Sequence, residues 1–164
     1  MKRAQIDAFC GCRETLYQRI VFFAAPAILL AGIVYVAVRY AQLPAEIPSH
    51  YNFYGEIDGY GSRGTLWITP VIGILCDALM LAVSLFPQTW NVGTSVTVFN
   101  RALVYRRVRD LIADIRLSTA VMFTAIAVWQ TALAPTFPWG MGVLIGVCCT
   151  APLVRFFVRL AMKK

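Results

Sequence analysis

His50, Asn52, Glu56 and Asp58 fall within nine residues, and His50 is the single histidine of the chain. An imidazole, an amide and two carboxylates at that spacing are the groups of a hard or borderline cation site, or of an acid–base cluster. The spacing matches no zinc pattern, so no metal, cofactor or catalytic residue is assigned. The surrounding residues point to shape first. Pro44 and Pro48 stiffen the entry of the segment. Gly55 and Gly59 supply positions where φ can be positive. Asn52 and Asp58 form turns by bonding their own backbone, and Ser62 can cap a following helix. Leu43–Arg63 therefore reads as an ordered loop that folds on itself and presents a ligand-facing surface, with Arg63 at its end.

Two further polar residues lie in apolar surroundings. Asp77 sits near the middle of a long apolar run. A carboxylate at that depth costs a few kcal/mol on insertion scales and faces the bundle interior. No basic residue lies at matching depth in another run. The hydroxyls of Ser118, Thr119 or Thr124 are its expected partners, and its role is either helix glue or a proton or cation relay. Gln130 reads as interhelical glue.

The elements that position these groups are apolar. The 164 residues are 59% hydrophobic and 14% charged, with mean hydropathy +0.67. A soluble domain carries about a quarter charged residues. The apolar residues fall into runs at 20–38, 65–86, 117–134 and 135–154. A hydrocarbon core of roughly 30 Å takes about 20 residues of helix. Period-two alternation is absent, which excludes a barrel. The expectation is an all-α membrane protein with four transmembrane helices, forming one domain over residues 1–164. The 20–38 run is longer than the apolar core of a signal peptide and is expected to be retained.

Basic residues set the orientation. Lys2, Arg3, Arg13 and Arg19 precede the first run. Arg101, Arg106, Arg107, Arg109 and Arg116 lie between the second and third. Arg155, Arg159, Lys163 and Lys164 form the tail. Only Arg39 and Arg63 flank the Leu43 loop. The positive-inside rule then puts both termini in the cytoplasm and the loop outside. Trp67, Trp129 and Trp139 mark the outer interface and Trp90 the inner one. The positive charge is thus a topology signal, and nucleic acid is not an expected partner.

Residues 1–19 read as an amphipathic surface helix with Ile6, Phe9, Leu16, Tyr17 and Ile20 on one face. Val104, Val108, Leu111 and Ile115 recur at helical spacing, predicting an interfacial helix between helices 2 and 3 that runs into the third span. Pro135–Pro138 joins the last two spans in a tight turn. Gly142 and Gly146 form a small-xxx-small pair that permits close helix contact, within the chain first and with a second copy as the alternative. Cys10, Cys12, Cys76, Cys148 and Cys149 read as small apolar side chains.

The motif Leu-Pro-x-x-Ile-Pro-x-His-Tyr-Asn-x-x-Gly-x-x-Asp-Gly-Tyr-Gly-Ser-Arg, at Leu43–Arg63, resembles the signature of the bacterial membrane domain of unknown function 1648. That domain also forms the N-terminal part of immunity proteins against the sporulation-delaying toxin. The resemblance covers about residues 20–90, and Arg63 stands where the family usually has Lys. It implies a helix–loop–helix unit in a bacterial cytoplasmic membrane. It carries over His50, Asn52, Gly55, Asp58, Gly59 and Ser62 as motif positions. Residues 91–164 carry no match to the C-terminal half of the immunity proteins. The expected function is non-enzymatic: envelope sensing or toxin-immunity-type protection through ligand binding at the outer loop. Membrane lipid and a peptide or envelope component are the expected partners. Transport using Asp77 and interfacial catalysis by the loop groups are the alternatives.

Overall fold

The computed structural model describes residues 2–92 and 95–161. Its helices are α1 (Arg3–Cys10), α2 (Leu16–Tyr40), α3 (Ile68–Ser84), α4 (Arg101–Gln130) and α5 (Trp139–Ala161). Strands β1 (Glu46–Tyr51) and β2 (Ile57–Ser62) form an antiparallel hairpin between α2 and α3. A 3-10 turn at Arg63–Trp67 leads from the hairpin into α3. Four helical stretches are long and apolar enough to cross a membrane: Leu16–Tyr40, Arg63–Ser84, Arg101–Gln130 and Trp139–Ala161.

The hairpin corrects the all-α expectation. Its strands carry a weak sequence signal, because Pro48 interrupts β1 while Gly59 and Gly61 dilute β2. Register shifts follow Pro48 and His50, where the ladder bulges. Ile47 anchors the pair, being buried with Leu43, Leu66, Val36 and Ala127 against the bundle.

The N-terminal expectation also changes. Gly11 ends α1 in the left-handed region at φ +67. A capping box of Thr15 and Gln18 then starts a new helix. Leu16, Tyr17 and Ile20 therefore belong to α2. Of that face only Ile6 and Phe9 lie on α1, which is apolar on one side and exposed on the other. Helix α1 packs Ile6 and Cys10 with Tyr105, Leu85 and Trp90. Burial pushes the Cys10 thiol up to about 11, against the opposing pull of the Arg109 charge.

The helix expected before the third span does run into it, since α4 is unbroken through Arg101–Gln130. Thirty residues at 1.5 Å per residue give about 45 Å, well beyond the apolar thickness of a bilayer. The last span begins at Trp139, leaving Pro135–Pro138 in the connecting turn.

Helix α4 packs against α2, α3 and α5 in turn. Ala113, Ala120 and Ala127 recur every seven residues along it and are buried. In lipid no water is expelled between helices, so close contact of small residues supplies the packing. Gly32 and Gly73 do the same from the neighbouring helices. A Cβ at Gly32 would sit 2.9 Å from Thr124 Cγ2, and one at Gly73 would sit 2.9 Å from both Leu29 Cδ2 and Phe123 Cβ. The Gly142–Gly146 pair makes no such contact. A Cβ at Gly146 meets nothing within 4 Å, and one at Gly142 meets only Phe137. The close intramolecular contact expected of that pair is absent, because α5 turns another face, including buried Pro152, inward.

At the end opposite the hairpin, α4 is tied to its neighbours by charge. Arg109 bonds Asp7 of α1 at 2.8 Å and the Cys12 carbonyl at 3.1 Å. Asp110 accepts from Gln18 of α2 at 2.7 Å and from Arg159 of α5 at 2.5 Å. Asp114 accepts from Tyr17 and Arg155. Lys163 and Lys164 of the sequence argument lie outside the described residues.

Candidate ligand cleft at the hairpin

The hairpin turn is built by Asn52 and Gly55. The Gly55 N–H donates to the Asn52 carbonyl at 2.9 Å, and the Asn52 N–H donates to the Glu56 carbonyl at 2.8 Å. The Asn52 side-chain oxygen accepts from the N–H groups of Tyr54 and Glu56, at 2.9 and 3.0 Å. Gly55 sits at φ +81, a conformation L side chains resist. This turn projects Phe53 and Tyr54, which are 96% and 84% exposed.

The hairpin tip is fastened to the turn between α4 and α5. Phe137 N–H donates to the Gly55 carbonyl at 2.7 Å, and Glu56 forms an antiparallel bridge with Thr136. Tyr51 Oη donates to the Ala134 carbonyl at 2.9 Å. Burial, with the neighbouring Tyr60 phenol, pushes the Tyr51 phenol up, so it stays protonated and keeps donating. The Tyr51 ring lies 5.2 Å from Trp129 and 6.1 Å from Phe137. A cleft of about 340 Å³ opens beside this cluster, lined by Tyr51, Phe53, Tyr54, Phe137, Trp139 and Gly142. Trp139 is 89% exposed at its rim.

The predicted polar quartet does not converge on one centre. His50 Nδ1 meets Asp58 Oδ1 at 2.5 Å, with both side chains open to solvent. Asn52 Nδ2 donates to Glu56 Oε2 at 3.1 Å as part of the turn. Asn52 alone of the four lines the cleft. The remaining motif residues shape the hairpin. Exposed Pro44 leads into β1, and Pro48 pairs with Tyr60. Gly59 pairs with His50, whose Cβ would lie 3.1 Å from any Cβ added at Gly59. Ser62 Oγ accepts the Gly64 N–H at 3.3 Å, opening the 3-10 turn. Arg63 ties the base: its N–H donates to Ala45, its Nη1 to the Leu43 carbonyl, and its guanidinium lies 4.9 Å over the Tyr40 ring.

The sequence marks Trp139 and Trp129 as interface residues but does not group the cleft aromatics. Phe137 lies in a proline turn, and its closeness to Tyr51 and Gly55 depends on the hairpin folding back. Such a contact leaves no spacing signal.

Asp77 has a partner that the sequence reading excluded. Arg116 Nε and Nη2 bond Asp77 Oδ1 and Oδ2 at 2.7 and 3.1 Å, and both side chains are buried. Thr124, an expected partner, instead donates to the Ile28 carbonyl. Gln130 accepts from Thr69 at 2.9 Å, joining α3 to α4 near the hairpin.

Residues 27–74 match the model of a domain of unknown function, DUF1648. The chain carries a DUF1648 domain. In this structure that domain comprises most of α2, the hairpin and the first part of α3. An uncharacterized protein of Archaeoglobus fulgidus is 25% identical over 145 residues, covering 79% of each chain. No solved structure matches the chain.

Proposed function

We propose that this DUF1648-containing chain is a multi-pass protein of a bacterial cytoplasmic membrane with both termini inside. It binds a peptide or envelope component in the hairpin cleft, and so senses membrane-active agents or protects against them. The observation that carries this reading is the cleft itself: exposed Phe53, Tyr54 and Trp139 held beside a fixed aromatic floor. Concave clefts lined mainly by aromatic side chains with a few polar groups are common ligand sites. The distribution of basic residues supports the orientation.

The alternatives draw less support. The Asp77 carboxylate is held at both oxygens by Arg116. Towards the hairpin, Gly32 and Gly73 let Leu29, Phe123 and Thr124 pack closely against them. Loop catalysis lacks a convergent set of groups.

Cells producing the chain, challenged with membrane-active peptide toxins, test the reading. The parent chain should raise survival, and a Phe53→Ala/Trp139→Ala variant at equal protein level should not. Equal survival with and without the parent chain ends the protective reading.

A further inference from the structure

We infer that the hairpin cleft takes a cationic side chain of a peptide, a lysine ammonium or an arginine guanidinium laid against its aromatic faces. The inference rests on the cleft being a ligand site and names the chemistry of what enters it.

Charge divides the hairpin. Its cations sit at the base, beside Glu46, and are engaged there. Arg39 donates to Gln42 at 2.9 Å, while Arg63 holds the Leu43 carbonyl and stacks on Tyr40. Its tip is acidic. Asp58 is matched by His50, but Glu56, next to Gly55 in the turn, has no cationic partner among the described residues. Glu56 is exposed and follows Gly55 of the cleft lining, whose walls are aromatic; Phe53 and Tyr54 stand edge to face at 82° and 5.9 Å. Aromatic faces attract cations through the ring quadrupole, most strongly where water is thinned. A carboxylate nearby adds Coulomb attraction. The volume suits a long side chain rather than a folded partner. A zwitterionic lipid headgroup fits less well, because its phosphate would need a donor and no Lys, Arg or His lines the cleft.

Calorimetric titration of the full chain in uncharged dodecyl maltoside micelles tests this, using a short Lys/Leu peptide and a counterpart with Glu for Lys. The Lys peptide should bind saturably and about tenfold or more tighter than the Glu peptide. Tyr54→Leu keeps apolar bulk and removes the ring face; it should weaken the Lys peptide several-fold, as should Glu56→Gln, which keeps the acceptor for Asn52. Thermal melts of these exposed-tip variants should match the parent. Tetramethylammonium chloride should compete better than sodium chloride at equal ionic strength. Equal binding of both peptides, with Tyr54→Leu silent, overturns the cation while leaving an apolar cleft. Absence of binding by the Lys peptide also overturns it, and the survival assay then judges the cleft reading separately.

Discussion

Arg116 reaches Asp77 from a position nearer the charged end of the bundle. Thr69 meets Gln130, which fixes the alignment of α3 and α4. From that contact Asp77 lies eight residues, or about 12 Å, along α3, and Arg116 lies fourteen, or about 21 Å, along α4. The long arginine side chain bridges most of the difference and delivers two hydrogen bonds. Removing one partner leaves a buried charge alone, which costs about 3–5 kcal/mol. Arg116→Ala and Asp77→Ala should each lower the thermal midpoint in detergent strongly. The double variant Asp77→Leu/Arg116→Met should recover much of that loss. Additive losses would show that the pair is not coupled.

The glycines separate packing from spacing. Gly73→Ala forces a Cβ into Leu29 and Phe123, and overpacking of this kind costs about 1–3 kcal/mol. Gly146→Ala faces open space and should change stability by less than about 0.5 kcal/mol. Thermal melts of the two variants in one detergent make the comparison. A larger loss for Gly146→Ala would point to a contact of α5 with a second copy.

These cases also show what the chain discloses before it folds. The four apolar runs, the turn residues Asn52 and Gly55, and the glue role of Gln130 follow from residue type and spacing, and the structure agrees. Arg116 is hidden in the sequence because the uncharged run of the third span begins only at Leu117. Counting about twenty residues back from Gln130 puts the start near Leu111 and brings Arg116 inside. The hairpin escaped because its register depends on Ile47 finding a pocket formed by α2, α4 and Leu66. Gly142 and Gly146 show no close contact within the chain, because a small-residue stripe says nothing of what faces it.

The hairpin turn should be sensitive at Gly55 and less so at Asn52. An alanine at φ +81 costs about 1–2 kcal/mol of local strain. Asn52→Ala loses two hydrogen bonds to exposed backbone, worth about 1 kcal/mol together in solvent. Amide exchange of Tyr51–Ile57 should quicken more for Gly55→Ala than for Asn52→Ala. Unchanged protection in both variants would refute the turn described here.

Cys10 gives a pH signature at the other end. Its folded value is raised from 9.0 to about 11, with burial the main cause. Between those values the unfolded chain has lost the proton and the folded chain keeps it. Stability is therefore full below pH 9 and falls as pH rises towards about 11. The Cys10→Ala variant should lack this share of the decline, so the parent's advantage over it should shrink over that range. Native Cys10 should also resist maleimide at neutral pH, because thiolate is the reactive form. Rapid labelling without denaturant would contradict its burial.

Orientation is open to direct measurement. Every acidic residue outside the hairpin is engaged by arginine: Asp7 by Arg109, Glu14 by Arg3 and Arg19, Asp77 by Arg116, Asp110 by Arg159 and Asp114 by Arg155. The hairpin region carries Glu46, Glu56 and Asp58 against Arg39 and Arg63, so excess positive charge gathers at the opposite end. Charge of that sign is retained on the cytoplasmic side during insertion. In a cysteine-free background, a cysteine at Phe53 should react with a membrane-impermeant maleimide in intact cells. One at Arg106, exposed at the charged end, should react only after lysis. The reverse pattern would invert the chain and remove the hairpin cleft from any extracellular ligand.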